Sequence, residues 1–161
     1  MDIYEYAMQM ERDGESYYRE LSGKAASAGL KNILTMLADA EVKHYDIFRK
    51  MKEGEPAQVP DTPILEDVKN VFVKMKEEKD SVISDGSEID LYKRAQGIEE
   101  MTRDFYLEKA EEMKGLPQRE VFLKVADEEK RHYLILENII DFVSRPFNWL
   151  ENAEWYHLEE Y

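Results

Sequence analysis

Along the first fifty residues, core-type positions recur in alternating steps of three and four. Tyr4, Ala7, Glu11, Gly14, Tyr18, Leu21 and Ala25 form one such stripe, and Leu30, Leu34, Leu37, Glu41, His44, Phe48 and Met51 form the next. That spacing returns to one face of a helix at each step, so the segment predicts two amphipathic helices. The same pattern comes back in the second half of the chain as Tyr92, Ala95, Glu99, Thr102, Tyr106 and Met113, followed by Phe122, Val125, Glu129, His132, Leu136 and Ile139. A short break around Ala28-Gly29 divides the first pair, and Gly115-Leu116-Pro117 divides the second, with Gly as helix stop and Pro as helix start. Each pair therefore predicts a helical hairpin.

The two hairpins are copies of one unit. Residues 1 to 51 align without gaps on residues 89 to 139, at an offset of 88. Twelve aligned pairs are identical, among them Tyr4/Tyr92, Glu11/Glu99, Tyr18/Tyr106, Glu41/Glu129 and His44/His132, where unrelated segments would share roughly three or four. Two such hairpins predict an all-α, four-helix bundle. The expected organisation is a single domain over residues 1–161: a first hairpin at 1–53, a crossover with an extra helix at 54–87, a second hairpin at 88–144 and an aromatic tail at 145–161.

In the crossover, Pro56, Pro60 and Pro63 break the chain before a further stripe, Leu65, Val68, Phe72 and Met75. Thr62 is placed to cap that helix and Pro63 suits its first turn, so a covering helix outside the bundle is expected. The tail carries Pro146, Phe147, Trp149, Leu150, Trp155 and Tyr156. So much aromatic surface predicts docking on the chain's own bundle or on a second copy, and a homodimer is the expected assembly.

Composition narrows the function. A net charge of −14 opposes phosphate backbones and anionic headgroups, so neither nucleic acid nor membrane is an expected partner. Without cysteine the chain can form no disulfide, zinc ribbon or thiol nucleophile, so any metal must be held by nitrogen and oxygen. The acidic, amphipathic start from Met1 to Asp13 lacks the charged and apolar regions of a secretory signal, and a cytoplasmic location is expected.

Glu11, Glu41, His44, Glu99, Glu129 and His132 all fall on stripes predicted to face the core. A buried, unpaired carboxylate costs several kcal/mol, so four converging ones need positive charge among them. Two divalent cations would balance the four charges. Glu41 with His44, and Glu129 with His132, share a helix face at a spacing of three, so each pair can hold one metal or bridge two. His157, with Glu154 three positions before it, repeats the spacing without a repeat mate or a helical stripe and reads as a surface or packing residue. Asp39, Asp127 and Glu128 are each placed to orient a histidine across the bundle, with solvent exposure an equal reading for each. Met8, Met36 and Met75 read as core filler, and the charges from Lys74 to Asp80 as a solvated helix face.

Over residues 1 to 144 these motifs resemble the rubrerythrin branch of the ferritin-like family. The resemblance implies a two-metal site, two Fe ions with Mn or Zn possible, in which Glu41 and Glu129 bridge and Glu11 and Glu99 are terminal ligands. His44 and His132 complete the set. It also implies that Tyr18 and Tyr106, two turns beyond Glu11 and Glu99, donate hydrogen bonds to ligand carboxylates. The chain departs from the family pattern at Thr102, where an additional glutamate serves a redox-linked ligand switch, and in lacking a cysteine-ligated rubredoxin domain. Electrons would therefore come from an external donor protein. The activity implied is reduction of hydrogen peroxide or dioxygen. Gly14 and Thr102 leave space on one side of the metals for such a substrate to enter, although Gly14 could equally serve close helix packing. Two other readings use the same residues: ferrous iron oxidation for storage or transfer in a ferritin-like assembly, and a non-catalytic interaction protein cemented by metal.

Overall fold

In a computed structural model of the chain, residues 2–25, 27–78 and 87–144 are described. Among them there are five helices and no strand: α1 (Ile3–Lys24), α2 (Ala28–Lys52), α3 (Ile64–Glu77), α4 (Ser87–Glu112) and α5 (Leu116–Ser144). None is long and apolar enough to cross a membrane. The aromatic tail and His157 lie outside the described residues.

Helices α1 and α2 pack along their lengths as an antiparallel hairpin, with the end of α2 beside the start of α1 through a Lys52–Glu5 ion pair of 2.6 Å. Helices α4 and α5 make the second hairpin, and the two meet through α1 against α4 and α2 against α5. Local chemistry sets the ends. Asp2 accepts from the Glu5 amide at 2.8 Å to begin α1, and Ser27 accepts from the Leu30 amide to begin α2. Gly54, at a φ of 77°, ends α2 in the left-handed conformation that glycine adopts most readily.

Two expectations change. The first break falls after Lys24 and before Ala28 rather than at Ala28-Gly29, because Ser27 supplies the cap and Gly29 falls within the first turn of α2. Gly29 instead lets Met75 of α3 pack onto the backbone, in space that a Cβ would fill. Thr62 does not cap α3. Pro63 stands at the cap position with no side-chain hydrogen bond, and the Thr62 hydroxyl is turned inward, donating to Glu128 at 2.9 Å.

The apolar core forms two clusters. One gathers Leu21, Leu30, Leu34, Phe72, Ile139 and Phe142 at the end of the bundle covered by α3. The other gathers Ala7, Phe48, Tyr106, Val121, Phe122 and Val125 at the opposite end. Helix α3 packs on α2 and α5 and buries Ile64, Val68, Phe72 and Met75, with Leu65 only partly buried at its margin. Phe72 is fully buried, its ring 6.2 Å from that of Phe142. Phe72→Ala is therefore expected to destabilise the chain by about 3–5 kcal/mol in chemical denaturation, whereas a change near zero would show that α3 is not part of the cooperative core.

Candidate metal centre

Between the two apolar clusters lies a polar layer. On α1, Glu11 stands between Ala7 of one cluster and Tyr18 of the other; on α4, Glu99 stands between Ala95 and Tyr106. On α2, Glu41 and His44 separate Ala38 from Ile47, and on α5, Glu129 and His132 separate Ala126 from Ile135. The helical repeat thus carries each polar side chain to the same height, and none of the six is more than 3% exposed.

They converge in two overlapping groups. Glu11, Glu41, His44 and Glu129 form one, and Glu41, Glu99, Glu129 and His132 the other, each with candidate ligand atoms within 4.8 Å of one another. Glu41 and Glu129 belong to both. The imidazole rings lie nearly parallel, 5.9 Å apart, and each turns Nδ1 inward. His44 Nδ1 is 3.0 Å from Glu129 and 3.4 Å from Glu11; His132 Nδ1 is 3.2 Å from Glu41 and 3.4 Å from Glu99.

Those approaches are close enough for charge to be felt but are not aligned as hydrogen bonds. Glu11 Oε2, Glu41 Oε1, His44 Nδ1, Glu99 Oε2, Glu129 Oε1 and His132 Nδ1 are all buried with no hydrogen-bond partner. Buried polar atoms are ordinarily satisfied, and here one atom from each of the six residues is not. A cation is the partner this donor set suits: neutral imidazole nitrogen and carboxylate oxygen, with no sulfur.

Three of the remaining polar atoms are held from outside the layer. The Tyr106 hydroxyl donates to Glu11 Oε1 at 2.8 Å, and the Tyr18 hydroxyl donates to Glu99 Oε1. The donors cross over, the α1 tyrosine serving the α4 glutamate and the α4 tyrosine the α1 glutamate. Burial, reinforced by the neighbouring carboxylates, raises both phenols well above their usual range, so they remain protonated donors. Of the three acids placed to orient a histidine, Glu128 alone reaches one, at 2.5 Å from His44 Nε2. Asp39 and Asp127 are exposed and pair with Arg19 and Arg131. In the sequence Glu128 differs from Asp39 and Asp127 in that its repeat counterpart is Ala40; its burial opposite His44 comes from packing.

Gly14 and its repeat counterpart Thr102 line a cavity of about 10 Å³ that touches Glu41, Glu99 and Glu129. A Cβ on Gly14 would lie 3.2 Å from Glu41 Oε2, so this glycine makes room for a carboxylate rather than for another helix backbone.

Without cations, the layer balances its charge with protons. Burial raises the Glu41 and Glu129 carboxyls well above the usual range, and repulsion from neighbouring glutamates adds to it. Burial disfavours charged His44 and His132, yet the surrounding carboxylates, led by Glu11 and Glu99 respectively, outweigh it and raise both. Glu11 and Glu99 go the other way: burial opposes their ionisation, but hydrogen bonds and histidine charge hold them down, Glu99 at about 2.

The family model described as Rubrerythrin matches residues 2–140. No curated protein and no solved structure matches the chain significantly.

The sign of the pH dependence follows. Raised histidines contribute stability that is complete below their ordinary value of 6.5 and is lost as pH rises through the folded values. Raised Glu41 and Glu129 act in the same direction from 4.5 upward, whereas lowered Glu11 and Glu99 matter only below 4.5. Above about pH 6.5 the metal-free chain should therefore melt at lower temperature as pH rises. A divalent cation should reverse the trend, since bound protons then compete less for the ligands. Thermal unfolding with and without metal checks this, and parallel trends would contradict it.

Proposed function

The chain belongs to the rubrerythrin family, a family of di-iron proteins, and from that premise we propose that it is a non-haem di-iron oxidoreductase reducing hydrogen peroxide or dioxygen. The observation that supports this most is the set of six orphaned atoms, one from each of six residues, facing a shared space in a buried layer. Glu41 and Glu129, common to both groups, would serve both metals; Glu11 with His44 would complete one position, and Glu99 with His132 the other.

When bound, two ferrous ions supply two electrons, so that one peroxide, two electrons and two protons leave as two waters, and a separate donor protein restores the electrons. The chain's own residues do the rest. The apolar clusters above and below keep bulk water from the layer, which strengthens every charge interaction inside it. Tyr18 and Tyr106 hold Glu99 and Glu11 by one oxygen each, leaving the other free to coordinate. The cavity at Gly14 and Thr102 is where the substrate reaches Glu41, Glu99 and Glu129. Its volume is close to that of a single water, which favours a substrate of a few atoms over an organic one. With Thr102 at the additional-glutamate position, this position offers no carboxylate for a redox-linked ligand switch.

Two measurements test the proposal. Anaerobic loading should give about two irons per chain, and Glu41→Ala or Glu129→Ala should lose most of the metal, because each removes a ligand common to both positions; full occupancy in either variant would contradict the assignment. Peroxide added to the ferrous-loaded chain with a chemical reductant should be consumed over repeated turnovers. Net uptake of many irons into a large particle would instead indicate iron storage, and an unchanged spectrum a purely structural metal.

A further inference from the structure

The repeat makes the polar layer nearly symmetric, and besides Gly14 against Thr102 it is broken at a second position, Ala40 against the buried Glu128. Glu128 on α5 stands one turn before His132 and reaches across to His44, with Oε2 at 2.5 Å from Nε2. Its other oxygen accepts from Thr62 of the crossover at 2.9 Å, so the carboxylate is only 5% exposed yet satisfied at both oxygens. On the opposite side, the residue one turn before His44 is Ala40, whose methyl offers no acceptor to His132. The crossover exists only once in the chain, so there is no counterpart of Thr62 either.

A carboxylate that accepts the outer N–H of an imidazole fixes the tautomer, directs the lone pair of the inner nitrogen at the metal and raises its basicity. His44 has this support, with Nδ1 already turned towards Glu11 and Glu129. We propose that Glu128, locked by Thr62, is a positioning residue that makes the two metal positions inequivalent: the His44 position binds tightly, and the His132 position is the weaker, exchangeable one. This rests on the two-metal reading above. Of the two glutamates that belong to a single group, Glu99 rather than Glu11 borders the Gly14–Thr102 cavity, together with the shared Glu41 and Glu129.

Cobalt(II) added stepwise to the metal-free full chain tests this, followed by calorimetry and by the visible spectrum. The expected result is two binding steps of unequal affinity, with His44→Ala abolishing the tight step and His132→Ala the weak one. Glu128→Gln should weaken the tight step by about 10–100-fold and leave the weak step nearly unchanged. Thr62→Val should weaken that same step to a smaller degree, and it keeps the test sound should Glu128→Gln fold poorly. Ala40→Glu should strengthen the weak step. In the cobalt-loaded wild type, one paramagnetically shifted histidine N–H, that of His44, should exchange with solvent more slowly than the other, and Glu128→Gln should remove the difference. Two equal steps, or equal weakening of both by Glu128→Gln, would overturn the inequivalence while leaving the two-metal reading standing. Fewer than two cobalt ions bound by the wild type would overturn both.

Discussion

Four carboxylates in the middle of a helical bundle are tolerable only if positive charge sits among them. That single electrostatic constraint organises the rest of the molecule. Without cations, protons would supply part of the compensation, since Glu41, Glu129 and the two histidines are all shifted upward from their ordinary values. Protons leave one buried atom on each of the six residues without a partner, a debt that two cations can settle. The apolar clusters at either end confine the polar layer to one level of the bundle, and the crossed tyrosines fix which oxygen of Glu11 and of Glu99 remains free.

Much of this was readable from the order of residues, because a helical repeat converts spacing directly into position. Stripes with steps of three and four returned all six polar residues to one face, and the 88-residue offset placed each opposite its copy. The two-hairpin bundle, the covering helix α3 and the convergence of the six residues all follow from that periodicity. What periodicity could not supply were contacts between elements distant in sequence. Glu128, Asp39 and Asp127 looked alike as candidates to orient a histidine, and only packing separates the buried member from the two that pair with surface arginines. Thr62 read as a helix cap because it precedes a proline and a stripe. The crossover turns it inward, and a buried carboxylate is a stronger attraction for its hydroxyl than the start of a short helix.

That inward turn connects fold to function. Duplication by itself would give two equal metal positions. The crossover, present once, brings Thr62 to one side and with it a carboxylate clamp on His44, while Ala40 leaves His132 without one. The element that joins the hairpins thus distinguishes the two halves of the site.

Whether the six side chains share two cations decides the rest. Anomalous diffraction at the iron edge, from crystals grown anaerobically with ferrous iron, addresses it directly. Two peaks are expected in the polar layer, one within coordinating distance of Glu11, Glu41, His44 and Glu129 and the other of Glu41, Glu99, Glu129 and His132. Iron found only among the surface carboxylates, with the layer still holding protons alone, would contradict it.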